Sequence, residues 1–267
     1  MTAAMRMMEQ SLKAVDGVIT VLDARAPAAS ENKKLNKLFE NKKVLFALNK
    51  CDLVEKKDVT RSLENFRAQN RAAVAVSAAD KKSTDKLYAA VFSLLSEKLE
   101  RNKAKGIFKP LRVMVAGIPN TGKSTIINAL AGGKKAATGD KAGVTRGKQW
   151  IRIGALELLD TPGTMPPAFE NQVMAKHLAY IGSMNDANLD FTDLAFEFIA
   201  EIKEKYPELL KERYSLSDVK TEPLEIMNEI CLNRGFLLKG GEYDYERCAS
   251  AVIDDFRKGR TGKIFLE

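Results

Sequence analysis

The sequence predicts an α/β fold in which a mostly parallel sheet carries helices on both faces, followed by a small all-α domain. In residues 1–165, short apolar runs rich in β-branched residues alternate with longer stretches of helical periodicity. Such alternation is typical of parallel sheets. From residue 166 onward only helical periodicity continues. We therefore expect two domains, residues 1–165 and residues 166–267.

The individual elements follow from these patterns. Apolar runs of strand length predict strands over 18–22, 44–48, 72–76, 112–116 and 156–159. Apolar residues three and four positions apart predict helices over 84–101, 125–130, 169–181, 189–205, 222–233 and 243–257. Pro207, Pro223 and the Gly240–Gly241 pair separate the later helices, of which we expect four or five. Their apolar residues are interpreted as core.

Residues 117–124 read G-I-P-N-T-G-K-S and match the phosphate-binding loop pattern G-x-x-x-x-G-K-[ST]. The strand predicted before them and the helix predicted after them supply the context that this motif requires. In such a loop, backbone N–H groups contact phosphate oxygens, Lys123 reaches the β and γ phosphates, and Ser124 ligates Mg²⁺. The residues expected to bind the phosphates are Asn120, Thr121, Gly122, Lys123, Ser124 and Thr125.

Residues 160–163 read D-T-P-G and follow a predicted strand, where open α/β sheets bind ligands. We expect Asp160 to hold Mg²⁺ through a water and the Gly163 N–H to approach a γ-phosphate. Thr145, in the G-V-T loop 143–145, is expected to be a switch threonine that binds Mg²⁺ and the γ-phosphate. The alternative for Thr145 is an ordinary loop threonine. The residues expected to act on the γ-phosphate in catalysis are Lys123, Thr145 and Gly163.

Residues 49–52 read N-K-C-D at the end of another predicted strand and are expected to recognise guanine. The Asp52 carboxylate can accept hydrogen bonds from guanine N1–H and N2–H₂, whereas adenine would leave it unpaired. Lys50 is expected to lie along the base and ribose, and Asn49 to tie this loop to the phosphate loop. Backbone N–H groups of Ser77 and Ala78, after the next predicted strand, are expected to meet guanine O6.

The guanine-reading motif precedes the phosphate loop, which reverses the usual order of these motifs in GTPases. This order, with the D-A-R-A-P segment 23–27 and the T-G-D-K-A-G-V-T loop 138–145, resembles the circularly permuted GTPases of the ribosome biogenesis GTPase A (YlqF/RbgA) family. Two segments of the predicted helical domain, 206–208 and 211–214, contribute to the likeness. The resemblance covers essentially the whole chain and implies a permuted P-loop GTPase domain with six strands, then a helical RNA-binding module.

The resemblance also implies ligands and partners. GTP, GDP and Mg²⁺ are the expected cofactors. Asn120 matches an asparagine that helps hold K⁺ in related GTPases, although a loop asparagine that bonds its own backbone is the alternative. The implied partners are a precursor of the large ribosomal subunit, ribosomal RNA and ribosomal proteins, and the chain is expected to be a monomer.

The hydrolytic residue is not evident from the sequence. Thr164 stands where many GTPases have a water-orienting glutamine after D-x-x-G. The family is thought to use a histidine in an N-terminal W-F-P-G-H segment, and this chain begins at Met1 with residues that match the family directly after that segment. We therefore expect a natural start upstream of Met1 and impaired hydrolysis in this chain. The single histidine, His177, is interpreted as a helix-surface or domain-interface residue.

Composition narrows the class of protein. Residues 1–165 contain 30 Lys and Arg against 16 Asp and Glu, whereas residues 166–267 contain 13 against 19. This basic first domain favours a polyanion such as RNA, with an ordinary solvated basic surface as the alternative. The chain has no apolar run of membrane-spanning length, no signal-peptide pattern and no C-x-x-C pair among its 3 cysteines. We expect a cytoplasmic protein.

Two functions remain open at this stage. The first is a slowly hydrolysing assembly GTPase of the large ribosomal subunit, in which Pro166–Pro167 relays the nucleotide state from the switch loops to the helical domain. The alternative is a GTP-gated binding module for another RNA or protein, with incidental hydrolysis. A metabolic kinase is excluded by the guanine-reading motif.

Overall fold

The computed structural model describes residues 3–133, 149–166 and 171–267. The described part contains six strands and twelve α-helices, with short 3-10 helices at Cys51–Leu53 and Asp186–Asn188. In chain order the elements are α1 (Ala3–Leu12), β1 (Gly17–Asp23), α2 (Pro27–Ser30), α3 (Lys33–Leu38), β2 (Lys43–Asn49), α4 (Lys56–Ala68), β3 (Ala72–Ala75), α5 (Lys81–Leu94), α6 (Ser96–Ala104), β4 (Leu111–Ala116), α7 (Lys123–Leu130), β5 (Gln149–Ile153), β6 (Leu156–Asp160), α8 (Gln172–Tyr180), α9 (Phe191–Lys205), α10 (Pro207–Tyr214), α11 (Pro223–Arg234) and α12 (Tyr245–Arg257).

The strands form one six-stranded sheet in the order β3-β2-β1-β4-β6-β5. The pairings β2–β3, β1–β2, β1–β4 and β4–β6 are parallel, and β5 pairs with β6 in the antiparallel direction. The predicted fold class, a mostly parallel six-stranded sheet, is confirmed. The carboxyl ends of these five parallel strands therefore lie at one edge of the sheet.

Helices cover both faces of this sheet, because successive side chains of the buried strands point to opposite sides. From β1, Ile19 and Val21 join an apolar cluster with residues of α5 and α7, whereas Val18 joins Met8 of α1 and Leu35 of α3 on the other face. On that second face, α4 contributes Phe66 to a third cluster. The sheet is therefore packed between two layers of helices, and loops occupy its carboxyl edge.

The chain divides into two compact units. The α/β unit comprises Met1–Met174 together with Phe265–Glu267, and the helical unit comprises Ala175–Ile264. The predicted domains 1–165 and 166–267 differ from these units at two places. The division falls inside α8, and residues 265–267 return to the α/β unit because Phe265 packs in an apolar cluster with Phe46 and Phe66.

The helical unit has an aromatic centre. The ring of Phe198 lies 5.1 Å from that of Tyr180 and 4.8 Å from that of Phe256, and all three side chains are buried. Arg257 donates hydrogen bonds to the carbonyl oxygens of Ala179 and Tyr180. These contacts join α8, α9 and α12, so the apolar residues of this part are core, as predicted.

One helix prediction needs correction. The single helix predicted over 84–101 is wrong, because Leu95 leaves the helical conformation and separates α5 from α6. Leu95 is buried, whereas α6 has no fully buried residue, so the core fixes the direction of α5 alone. Pro207 separates α9 from α10, as predicted, and occupies the first turn of α10, where its missing N–H costs no hydrogen bond.

Across residues 3–133, 149–166 and 171–267, none of the helices combines the length and apolarity needed to cross a bilayer.

Candidate nucleotide-binding site

The carboxyl edge of the sheet brings the separate sequence motifs together. The β1–β2 register pairs Asp23 with Asn49, and the β4–β6 register pairs Val115 with Asp160. The phosphate loop starts at Gly117, directly after β4. Motifs that are far apart in the chain thus meet at the edge where parallel sheets bind ligands.

The backbone of the phosphate loop has the shape that its glycines permit. Gly117 and Gly122 have φ values of 149° and 90°. A Cβ on Gly117 would lie 2.5 Å from the Val21 carbonyl oxygen, and one on Gly122 would lie 2.2 Å from Asn49 Nδ2. A side chain at either position would therefore clash with a neighbouring group, and both positive φ values also favour glycine.

Lys123 begins α7 and is held inside the loop. Its Nζ donates a 2.7 Å hydrogen bond to the Ile118 carbonyl oxygen, and the residue is only 7% exposed. Burial lowers the pKa of Lys123 to about 8, and the charge of Asp160 opposes this shift. The Lys123 ammonium group therefore lies in a poorly solvated position, where its electrostatic attraction for a bound anion is stronger than in water.

Ser124 and Asp160 meet as the two motifs require. The Ser124 hydroxyl donates a 2.9 Å hydrogen bond to Asp160 Oδ2, and Asp160 is fully buried. Hydroxyl and carboxylate oxygens are the donor types that Mg²⁺ takes from proteins. Beside them, the Thr161 hydroxyl donates to the Val115 carbonyl oxygen at 2.7 Å and fixes the D-T-P-G segment against β4.

The end of the D-T-P-G segment lies against the phosphate loop. A Cβ on Gly163 would be 2.7 Å from both the backbone nitrogen and the Cα of Pro119. The next residue, Thr164, donates its N–H to the Gly117 carbonyl oxygen at 3.2 Å. A side chain at position 163 would therefore push this segment away from the loop.

Thr164 itself is a buried residue, not an exposed water-orienting group. It is 4% exposed, and its hydroxyl has no hydrogen-bond partner among the described residues. Its carbonyl oxygen accepts a 2.9 Å hydrogen bond from Asn32 Nδ2. Asn32 is also buried and caps α3 by accepting from the Lys34 N–H, so it connects that helix to the segment after D-T-P-G.

The guanine-reading loop is attached to the phosphate loop by two hydrogen bonds. Asn49 Nδ2 donates to the Thr121 carbonyl oxygen at 2.8 Å, as expected for Asn49. Lys50 Nζ donates to the Asn120 carbonyl oxygen at 2.9 Å. Lys50 and Asn120 both have left-handed backbone conformations, with φ values of 60° and 59°. Asp52 is exposed on the following 3-10 helix, where its carboxylate is open to a base.

A buried ion cluster supports this loop, and its role was not evident from the sequence. Asp23, fully buried at the end of β1, forms ion pairs of 2.8 Å with Arg25 and 2.9 Å with Lys50. Burial alone would raise the pKa of Asp23, but the charges and hydrogen bonds of Arg25 and Lys50 hold it well below its usual range. The D-A-R sequence directly after a strand was the available signal.

The loop after β3 differs in one detail from the expectation. The Ser77 N–H donates to the Ser83 hydroxyl at 2.8 Å, so Ser77 is engaged within the loop. The N–H groups of Ala78 and Ala79 donate to no described residue. The Ser77 N–H, expected to meet guanine O6, is therefore already engaged within the loop, and the role of the Ala78 N–H stays a prediction.

Two sequence predictions concern residues elsewhere. Thr145, within the loop 138–145, and Pro167 of the Pro-Pro pair lie outside the described residues. His177 lies in the helical unit, where it is buried, contacts Glu201 at 3.1 Å and packs 6.1 Å from the ring of Tyr180. His177 is therefore not a helix-surface residue as predicted, because its ring packs inside the helical unit between α8 and α9.

Comparison with known proteins agrees with these features. The sequence profile described as 50S ribosome-binding GTPase matches residues 112–228. The chain is 37% identical over 269 residues to ribosome biogenesis GTPase A from Bacillus cereus, with 100% of this chain and 91% of the relative covered. The corresponding protein of Priestia megaterium is 38% identical over 270 residues, with coverages of 100% and 94%. The chain belongs to the ribosome biogenesis GTPase A family.

Solved structures support the same assignment. GNP-bound YlqF from Thermotoga maritima superposes with a TM-score of 0.69 at 25% identity, covering 100% of this chain and 98% of that one. A GDP-bound YlqF structure gives a TM-score of 0.68 at 26% identity, with 97% of each chain covered. The family resemblance, the fold class and the GTPase assignment are thereby confirmed.

The space around Gly122 yields a first prediction. Gly122→Ala is expected to weaken binding of a fluorescent guanine nucleotide by at least about 100-fold, because the new methyl group would displace Asn49 and alter the loop. Gly133→Ala, at the other end of α7, is the matched control because nothing lies within 4 Å of its Cβ position. Equal affinities of the two variants would show that the Asn49–Thr121 contact is dispensable.

The depressed pKa of Lys123 yields a second prediction. Protonated Lys123 attracts phosphate, so nucleotide affinity should be full below the pKa of about 8 and fall as pH rises through it. Between pH 7 and pH 9 the loss should be roughly tenfold, since binding above the pKa requires uptake of a proton. Lys123→Arg, whose charge persists, is the control and should vary less. A pH-independent wild-type affinity would contradict the role given to this ammonium.

Proposed function

We propose that this chain is a GTP-binding, slowly GTP-hydrolysing assembly factor of the large ribosomal subunit. The observation that carries the proposal is the joining of two motifs: the guanine-reading loop is hydrogen-bonded to the phosphate loop through Asn49–Thr121 and Lys50–Asn120. A site that holds a base and its phosphates in one fixed geometry suits a guanine nucleotide. The chain is further proposed to act in the cytoplasm as a monomer, which size-exclusion chromatography with light scattering would check.

Phosphate binding is assigned to the phosphate loop and its neighbours. Backbone N–H groups at the start of α7 face the phosphates, and Lys123 neutralises the β and γ groups. Ser124 and Asp160, already 2.9 Å apart, would hold Mg²⁺, Asp160 through a water and Thr145 as a further ligand. Mg²⁺ supplies charge neutralisation across the β and γ oxygens when bound. The Gly163 N–H is assigned to the γ-phosphate.

We attribute the proposed slow hydrolysis to the residue after D-T-P-G. Thr164 is buried and donates its N–H to the Gly117 carbonyl oxygen. It is therefore placed as a structural residue and not as one that orients an attacking water. Positioning of that water would then depend on a group supplied by the partner. This is consistent with a GTPase whose rate rises on its target.

The assigned role of Asp52 yields a third prediction. In Asp52→Asn, the side chain can no longer accept from both guanine N1–H and N2–H₂, so affinity for GDP should fall by about 30-fold or more. Xanthine carries a carbonyl in place of the 2-amino group, so the introduced amide could donate to it and affinity for xanthosine diphosphate should rise. Asp85→Asn, exposed on α5, is the control for loss of one charge. Unchanged base preference would exclude Asp52 from base recognition.

Potassium is proposed as an additional ligand near Asn120. The left-handed conformation of Asn120 is compatible with both a K⁺-binding and a purely local role. If K⁺ supplies the charge of an arginine finger, GTP turnover should be higher in K⁺ than in Na⁺ at equal ionic strength. Equal rates in the two salts would remove K⁺ from the proposal.

Large-subunit binding is supported by the family and by charge. The chain is 37% identical to a protein named for ribosome biogenesis, and residues 1–165 carry a large excess of Lys and Arg. The helical unit is proposed to be the second contact, informed of nucleotide state through the Pro166–Pro167 connection. A GTP-gated module for another RNA or protein remains the competing function.

Co-sedimentation distinguishes the two functions. With a non-hydrolysable GTP analogue, the chain should sediment with purified large-subunit precursors, and with GDP it should stay in the supernatant. Large subunits should also raise GTP turnover at least about tenfold, whereas small subunits should not. Nucleotide-dependent capture of some other partner without stimulation by large subunits would favour the competing function.

A further inference from the structure

Two adjoining cavities lie at the amino ends of β1, β2, β4 and β6, the sheet edge opposite the candidate nucleotide-binding site. They have volumes of about 520 Å³ and 440 Å³ and share Asp16 and Lys98 in their linings. Together they form a continuous surface, which we call the amino-edge surface. Its charged residues are Lys13, Lys42, Lys43, Lys98, Arg101, Lys109 and Arg112, with Asp16, Glu97 and Glu157.

The chain junction created by the permuted motif order builds much of this surface. The first cavity is lined by Leu94, Leu95, Glu97, Lys98 and Arg101, and the second continues along the same segment to Pro110. In the usual motif order the chain would not run from the helix after Ser77 and Ala78 into the phosphate-loop strand. This covalent connection therefore adds surface that the nucleotide site itself does not need.

The amino-edge surface has cations in excess. All three acids are engaged, in the pairs Lys43–Glu97 at 3.6 Å, Lys98–Asp16 at 3.3 Å and Arg112–Glu157 at 2.8 Å. Of the remaining cations, Lys42 Nζ donates to the Val15 carbonyl oxygen at 2.8 Å. Lys13, Arg101 and Lys109 form no ion pair within the described part of the chain, and all three are exposed. Their charges are available to an anionic partner.

An exposed aromatic ring stands beside these charges. Phe108 is 91% exposed, the largest value among the exposed large hydrophobic residues described, and Ile107 and Lys109 on either side of it line the second cavity. Because its side chain is almost fully exposed to solvent, Phe108 does not contribute to the hydrophobic core. An exposed ring next to a cation, here Lys109, is an arrangement with which proteins stack unpaired bases while contacting phosphates.

We propose that the amino-edge surface binds RNA, with Lys13, Arg101 and Lys109 contacting phosphates and Phe108 stacking on an unpaired base. This inference rests on the proposed function, for which it names the RNA-contacting face of the α/β unit. An acidic protein could pair with the cations, but it would leave the Phe108 ring without a planar partner. The strands separate this face from the nucleotide by roughly 20 Å, so both ligands can bind at once.

The phosphate contacts are tested with protein-free RNA extracted from large ribosomal subunits. The variant Lys13→Ala/Arg101→Ala/Lys109→Ala is compared with Lys34→Ala/Lys37→Ala/Lys57→Ala, which removes the same charge from exposed positions on α3 and α4. Each lost phosphate contact lowers the slope of log affinity against log salt by about 0.7 to 0.9. The first variant should thus lose a slope of about 2 and bind about 100-fold more weakly at low salt, while the second stays near wild type.

The stacking contact is tested separately at Phe108. Phe108→Ala should weaken binding by about 5- to 100-fold without changing the salt slope, because a stacked base carries no counterion. Phe108→Trp keeps a stacking ring and should retain the wild-type affinity. Circular dichroism and guanine nucleotide affinity should be unchanged in all these variants, since none of the residues belongs to the candidate nucleotide-binding site.

The outcomes separate this inference from the proposed function. Equal losses in the two triple variants would overturn the amino-edge surface as an RNA site. So would normal binding to protein-free RNA with weakened binding to intact subunits, because a ribosomal protein would then be the contact. If the first triple variant alone loses RNA while wild type sediments equally with GTP analogue and GDP, the surface stands and the proposed function fails.

Discussion

The candidate site depends on one buried carboxylate, that of Asp23. Placing this charge at the end of β1 has a large desolvation cost, which the paired cations Arg25 and Lys50 offset. Lys50 also donates to the Asn120 carbonyl oxygen. The ion cluster that stabilises the Asp23 charge therefore also connects the guanine-reading loop to the phosphate loop. Removing one member would leave an uncompensated buried charge, and the two loops would lose their common support.

The segment from Asp23 to Asn32 makes further connections. Asn32 donates to the Thr164 carbonyl oxygen after D-T-P-G, and the Arg25 carbonyl oxygen accepts from the Leu266 N–H. The Glu267 carboxylate accepts from the N–H groups of Ala28 and Ala29 at 2.7 Å each. The segment from Asp23 to Asn32 therefore contacts the guanine-reading loop, the residue after D-T-P-G and the last residues of the chain. The helical unit is joined covalently to the α/β unit at both of its chain ends.

The sequence predicted the motifs well because each is local and sits at a strand end, so Lys123, Asp160 and Asn49 could be placed before any contact was known. It did not predict the break at Leu95, since both α5 and α6 have helical periodicity and only packing of Leu95 in the core ends the first helix. Nor did it predict the return of Phe265 to the α/β unit. These features depend on contacts between residues far apart in the chain, which local patterns do not encode.

Circular permutation leaves the nucleotide site intact because that site depends on which strand ends are adjacent, and the strand order is independent of where the chain is cut. What permutation changes is the amino edge, where a new connection must run from α6 to β4. The end of α6 and that connection contribute Arg101, Phe108 and Lys109, none of which is buried. Residues free of packing constraints can be basic or aromatic at little cost to stability. A second binding face can therefore arise at the opposite edge of the sheet, where it does not compete with the nucleotide.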